Sequence, residues 1–472
     1  MDILNNQINE LKDDLINDII DIVKIPSVEG DPVNGFPFGE NVGKALDKAL
    51  EISKKLGFKT KNIDGYMGYA ELGEGDEYIA VVGHLDVVPE GNGWKYGPYE
   101  GEIDNERIYG RGVLDNKGPI MSALYGLKAI ERSNLKLDKK VRIIFGTNEE
   151  TGFNDIPHYL SKEKPPIMGF TPDCKYPVVY GERGIAKLSI RKKVNIDGIK
   201  IYGDFRSNMV PDNCHIDIPK DYIHEDIIYY LEEKICKEKI NEKYISINEK
   251  INIRMSKHIV TISAIGSQAP ANAPQLGENA ITNMIKYLID ENFIINDEVN
   301  GFMKFINTNF YNEYYGDKLG ISFEDDLTGK LYLNPYKLIC DENQLVLNFG
   351  VRYPMTCKIE YITKEIEKRL NNDLSLSVEK NFNPVNFDKD SYMVKRLQAA
   401  YERVTGLDGT PTTTSGGTYA KVMPNIVPFG PSFPGQKGIA HNNDEYMDID
   451  DIILNAKIFA NAIYELAKEE KC

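Results

Sequence analysis

Near the N-terminus, Leu4, Ile8, Leu11, Leu15, Ile19 and Ile22 recur every three or four positions among polar residues. That period lines one face of a helix, so the segment predicts an amphipathic helix. Helical pattern resumes over 41–56. YIAVVGHLDVV (78–88) reads as a strand running into a loop, and GPYEGEIDNERIYGRG as two short strands about an Asp-Asn turn. GPIMSALYGLKAIERS predicts a helix with Pro119 at its first position. VRIIFGT and PIMGFTP predict further short strands. Strand, helix, strand in this rhythm predicts an α/β domain, a mixed and mostly parallel sheet flanked by helices.

From residue 185 the pattern turns β-rich: IAKLSIRKKV, YISINEKINIRMS, IVTISAIG, KLYLNPYKLIC and NQLVLNFGVRYP alternate with helices at about 223–238 and 279–290. Helix-and-strand pattern of the first kind returns with SYMVKRLQAAYERVTG, a Gly/Thr-rich loop and a closing helix over 450–470. The reading is therefore a catalytic domain in two parts, 1–184 and 383–472, interrupted by an inserted α+β lid domain, 185–382.

Bulk properties narrow the classes. The 72 acidic and 56 basic residues give a net charge of −16, which repels phosphates and disfavours nucleic acid as a partner. Hydrophobic content of 42% and aromatic content of 10% fit a globular protein. Six scattered cysteines (Cys174, Cys214, Cys236, Cys340, Cys357, Cys472) without a CxxC pair read as reduced thiols, and the N-terminus lacks a secretory pattern; both point to the cytoplasm. No apolar run approaches a membrane span. Neither GxGxxG nor GxxxxGK[ST] is present, which argues against a nucleotide site.

The chemistry begins with VRIIFGTNEETG (141–152), where Glu149 and Glu150 stand side by side at the mouth of a buried strand. Such a pair is costly unless cations or protons compensate. His84 and Asp86, two apart at a strand end, share a face. Each residue alone has a plain reading. His84 could be a hydrogen-bonded histidine near a surface Asp, Asp115 a helix cap, Asp173 a turn former, His441 a loop histidine, and the glutamates a solvated turn. Together they form a set of imidazoles and carboxylates in loops following strands of one sheet, where side chains converge on one crevice. The set suits zinc or similar divalent ions. A shared carboxylate with one His and one further acid on each side would hold two cations, leaving one glutamate as a base.

Read in order, GHLDVVPEG, YGRGVLDNKGP, GTNEETG, TPD and GIAHNNDEY resemble the di-metal aminoacylase/carnosinase peptidase family. NMVPDN, VRYP and SGGTYAKVMPNIVPFGPSFPG look like the PepV-type bacterial dipeptidases, which are Xaa-His dipeptidase-like. The resemblance implies a monomeric enzyme that hydrolyses unblocked dipeptides through a water bridging two divalent cations, zinc first, with manganese or cobalt as alternatives. It implies that Asp115 bridges the cations, with His84 and Asp173 completing one site and Glu150 and His441 the other. Glu149 would be the general base, and Asp86 would orient the His84 imidazole. A cis peptide between Asp115 and Asn116 belongs to the same pattern. Asn208 and Arg352 would stabilise the oxyanion or bind the substrate carboxylate, and Ser415, Gly416, Gly417 and Thr418 would offer backbone donors to it.

One position departs from the family. Pro270, in GSQAPANAPQLGENA, stands where the lid carries its oxyanion-donating histidine. Losing such a donor commonly costs about 100- to 1000-fold in rate. The alternatives are accordingly an N-acyl amino acid deacylase of the same family, or a weakly active or non-catalytic relative.

Overall fold

The computed structural model describes residues 2–238, 244–341 and 343–468. Cys472 and the last two residues of the expected closing helix, Glu469 and Glu470, lie outside them. The chain divides into two compact units, Met1–Gly181 with Val385–Cys472, and Glu182–Pro384.

In the first unit, six strands form one sheet in the order Lys59–Ile63, Met67–Leu72, Lys140–Gly146, Tyr78–His84, Met168–Thr171, Ile426–Pro428. The first two junctions are antiparallel and the last three parallel, so the sheet is mixed and mostly parallel. Every residue of Tyr78–His84 is buried. That follows from its central place in a mostly parallel sheet, with a strand paired on each side and no use for polar alternation. The helices Lys117–Arg132 and Ile449–Ala467 bring Ile120, Leu124, Phe459 and Ile463 into the same core as Ile79 and Val81.

Two local expectations differ from the structure. The N-terminal helix is two helices, Asp2–Glu10 and Lys12–Val23, broken at Leu11. Leu11 stays buried, so the apolar stripe crosses the break undisturbed. Pro119 is the third rather than the first residue of its helix, which starts at Lys117. The N–H groups of a helix's first turn have no partner within the helix, so proline costs no helical hydrogen bond there either.

The second unit contains a four-stranded antiparallel sheet ordered Tyr332–Asp341, Gln344–Tyr353, Gly184–Lys193, Leu374–Phe382. A five-stranded sheet is ordered Lys200–Tyr202, Asn213–Pro219, Ile259–Ile265, Ile251–Met255, Tyr244–Ser246. Glu225–Glu238 and Ala280–Asp290 are helical as the pattern predicts. Asp297–Phe310 and Ile359–Glu367 are helices the sequence reading passed over. Ala186, Leu188 and Ile190 join Leu347, Phe349 and Val351 in this unit's core, so the alternate positions of those strands face away from it. Among the described residues, no helix is long and apolar enough to cross a membrane.

Candidate active site

Three parallel strands of the first unit end together, and their carboxyl ends carry the polar cluster. His84 closes one strand and lies in register with Gly146, which closes the next. Glu149 and Glu150 follow Gly146 in a turn, and Asp173 follows the strand Met168–Thr171. Asp115 precedes the helix at Lys117 and is joined to Asn116 by a cis peptide bond.

Asp115 is not a helix cap: no side chain caps that helix. Its carboxylate instead meets two imidazoles, one on each oxygen. Asp115 Oδ1 lies 3.0 Å from His84 Nε2, and Asp115 Oδ2 lies 2.9 Å from His441 Nε2. Asp173 Oδ1 is 3.8 Å from His84 Nε2, and Glu150 Oε1 is 3.0 Å from His441 Nε2. Potential ligand atoms of His84, Glu149 and Asp173 lie within 4.8 Å of one another, as do those of His84, Asp115 and Glu150. The structure thus brings His84, Asp115, Glu149, Glu150, Asp173 and His441 into one cluster.

The tautomer of His84 follows from its partners. Nδ1 is 2.9 Å from the main-chain carbonyl of Asp86, which can only accept. Nδ1 therefore carries the proton, and Nε2 faces the carboxylates. Asp86 orients the imidazole with its backbone; its carboxylate, 3.6 Å from Nδ1, has other work. Asp86 accepts the N–H groups of Glu149 at 3.2 Å and Glu150 at 3.0 Å.

A second buried carboxylate completes that support. Asp155 accepts the N–H groups of Thr147 at 2.8 Å and Asn148 at 3.2 Å, and Tyr419 donates its hydroxyl to the same oxygen. Four consecutive N–H groups, residues 147–150, are thereby held by two carboxylates. Gly146 is required beside them, since a Cβ there would lie 1.9 Å from the Tyr419 hydroxyl oxygen. The Asp115 loop has its own anchor. Glu445 Oε1 accepts from the N–H groups of Gly112, Leu114 and Asp115 at 3.0–3.1 Å, while Oε2 pairs with buried Arg111 at 2.6 Å. Asn116 donates to Pro172 O at 2.6 Å, tying this loop to the one bearing Asp173.

Sequence reasoning missed Asp155, Tyr419, Glu445, Arg111 and Asn116. All but Asp155 lie within the quoted motifs, but their side-chain burial and partners are set by distant segments.

The electrostatics follow from burial without enough positive charge. Burial, then the neighbouring Asp173, holds Glu149 well above the usual carboxylate range. Burial and Asp115 raise Glu150, and the same two causes push Asp173 to about 7. Burial opposes charge on His441, but Asp115 and Glu150 outweigh it and raise it to about 11. His84 is likewise raised by Asp115, Asp173 and Asp86 against its burial. Burial works against Asp115 as well, yet His441 and His84 hold its carboxyl well below the ordinary value.

The remaining candidates divide between the units. In the first, Thr418 is buried and caps the turn Tyr419–Lys421, while Ser415, Gly416 and Gly417 are half-buried. In the second, Asn208 is exposed and Arg352 half-buried at the end of its strand. Exposed Pro270 forms an isolated bridge with Met209, and Ala271 donates to Asn208 O at 2.8 Å, so the Pro270 and NMVPDN segments lie together.

Comparison with known proteins adds three findings. The model of "Peptidase family M20/M25/M40" matches residues 80–465. A provisionally named dipeptidase, YtjP, of Bacillus subtilis (strain 168) is 36% identical over 469 residues, 97% of this chain and 98% of the relative. The Beta-Ala-Xaa dipeptidase of Lactobacillus delbrueckii subsp. lactis is 32% identical, covering 98% of this chain and 97% of its own. In fold, the chain resembles human carnosine dipeptidase 1, with a TM-score of 0.57 at 16% identity over 98% of each chain.

Proposed function

The chain belongs to peptidase family M20/M25/M40, and from that membership we propose that it is a dipeptidase working with two divalent cations. The observation that carries the proposal is Asp115, whose two oxygens each meet a different imidazole. The donor set fits: two imidazoles and carboxylate oxygens suit zinc, manganese or cobalt. The raised Glu149, Glu150 and Asp173 mark a pocket short of positive charge. His84, Asp115 and Asp173 are assigned to one cation, and Asp115, Glu150 and His441 to the other.

When bound, the two cations polarise the scissile carbonyl and lower the pKa of a shared water. Glu149 has no imidazole partner within hydrogen-bonding distance among the described residues. It is assigned as the base that takes the attacking water's proton and returns it to the leaving amine. Asp86 and Asp155 fix the turn on which Glu149 stands, which keeps the proton path short. Backbone donors of Ser415–Thr418, with Asn208 and Arg352, are assigned to the substrate's carboxylate and developing oxyanion. The segment 185–382 is assigned the lid role, and the active form a cytoplasmic monomer.

The test is dipeptide hydrolysis by chelated protein before and after adding Zn²⁺ or Mn²⁺, with Glu149→Gln alongside. Activity should return with metal in the wild type and fall at least about 100-fold in the variant, the scale of general-base catalysis. Metal binding without cleavage of any dipeptide would overturn the reading.

A further inference from the structure

Glu149 and Glu150 are neighbours in the chain, yet the folded turn gives them different surroundings. Glu150 groups with Asp115, and its Oε1 lies 3.0 Å from His441 Nε2. Glu149 groups instead with His84 and Asp173: one ligand atom from each of these three falls within 4.8 Å of the other two. Charge places Glu149 on the same side. After burial itself, Asp173 and then His84 act on its carboxyl more strongly than Glu150 or Asp115 does.

His84 gives this side its chemistry. It is fully buried, and its Nδ1 proton goes to the Asp86 carbonyl. Its Nε2 meets Asp115 Oδ1 at 3.0 Å and Asp173 Oδ1 at 3.8 Å, and an ionised carboxylate has no proton to offer. A ring nitrogen facing only acceptors is satisfied by a proton or by a metal ion. The main chain beneath Glu149 is fixed as well, since Asp86 accepts its N–H at 3.2 Å and that of Glu150 at 3.0 Å. Among the described residues, no lysine or arginine forms an ion pair with Glu149.

The balance of charge points the same way. Two divalent cations bring four positive charges, and Asp115, Asp173, Glu149 and Glu150 bring four negative ones. With both imidazoles neutral, the cluster balances only when Glu149 is counted, and buried charge without its opposite is costly. Under the assignment above, His84, Asp115 and Asp173 already give one cation three protein donors, the usual number at a catalytic zinc with an open position. A fourth donor would close that position. The other cation, on Asp115, Glu150 and His441, keeps three.

We propose that Glu149 is a metal ligand in the resting protein, the fourth protein donor to the cation held by His84, Asp115 and Asp173. One cation is then closed and its neighbour open, and this role of Glu149 precedes its role as base. The proposal rests on the two-cation reading. Its test reads metal rather than turnover. Chelated full chain is titrated with Zn²⁺ against a chromophoric chelator, and with Co²⁺ while its visible bands are recorded. Wild type, Glu149→Gln, Glu149→Ala and Glu150→Gln are compared. Both Glu149 variants should weaken one cation at least about tenfold, the least that even a residue supporting a ligand costs, and Glu150→Gln should weaken the other. The Co²⁺ bands report the number and kind of donors, so they should change in both Glu149 variants. A glutamate acting only as a nearby charge would weaken both cations alike and leave the bands in place. That result overturns the proposal, as does wild-type affinity in the Glu149 variants. If wild type takes up no cation, the inference falls together with the two-cation reading. If it takes up both and cleaves no dipeptide, the dipeptidase reading fails, and the same titrations still decide for Glu149.

Discussion

Asp155→Asn tests how the glutamate turn is held. The Asp155 carboxylate is fully buried and accepts the N–H of Ile156 at 2.9 Å besides those of Thr147 and Asn148 and the Tyr419 hydroxyl. Burial raises its pKa from the ordinary 3.8 to about 6, more than these donors lower it. The substitution keeps the shape, removes the charge and turns one acceptor into a donor. With the amide oxygen facing Thr147, Asn148 and Tyr419, the amide nitrogen opposes the Ile156 N–H. That mismatch costs about 1–3 kcal/mol. The charge works in the other direction, since a rise of roughly two units corresponds to about 3 kcal/mol. A carboxyl with a raised folded pKa contributes stability that is full below its unfolded pKa and lost as pH climbs through the folded one. Wild type therefore loses about 3 kcal/mol from this group between about pH 4 and pH 7.5, and the asparagine variant does not. The variant should be the less stable protein near pH 4.5, by about 1–3 kcal/mol, with the gap closed or reversed near pH 7.5. Denaturant midpoints of chelated wild type and variant across that range measure the difference directly. Parallel curves would refute the claim that Asp155 is a buried carboxylate working against its own burial.

Two further substitutions probe the Asp115 loop. Glu445→Gln leaves Arg111 buried beside a neutral amide, at a cost of about 3–5 kcal/mol. At about 2–4 °C per kcal/mol for a domain of this class, the melting temperature of chelated protein should fall by about 6 °C or more, and an unchanged melt would remove the pair from the account. Asp115→Asn should weaken the binding of both cations, each by more than about tenfold, because each oxygen serves one side. Metal content after dialysis reads this; loss of one cation with full retention of the other would show that the carboxylate is not shared.

Most helices were legible because burial imposes a period, which Leu4 and Ile8 follow visibly, and Tyr78–His84 was legible as a short continuous apolar run; Lys59–Ile63, Met67–Leu72 and Asn213–Pro219, more polar or shorter, were not read as strands. The break at Leu11 was not legible, since the apolar stripe runs through it unchanged. Asp297–Phe310 did leave a signal in its cap, where Asn296 accepts from the Val299 N–H at 3.0 Å and two acids follow. The residues of the cluster could be named through the resemblance, whereas their supports could not. Asp86 meets His84 Nδ1 chiefly through its main-chain carbonyl, at 2.9 Å against 3.6 Å for its carboxylate, and no side-chain pattern encodes the position of a carbonyl.

The supports differ from the ligand candidates in a physical way that explains the asymmetry. Asp86, Asp155 and Glu445 are buried acids whose charge is met by backbone N–H groups, two or three each. Such donors favour the ionised carboxylate and occupy lone pairs that a cation would otherwise use. Asp115, Asp173 and Glu150 face imidazoles instead, with no backbone donor to their carboxylates among the described residues. Their oxygens converge on the same two imidazoles, more carboxylates than those two can neutralise, and added positive charge relieves that arrangement. All are Asp or Glu near strand ends, identical in kind along the chain. What separates them is which carboxylates the folded backbone satisfies, and the unsatisfied ones define the site.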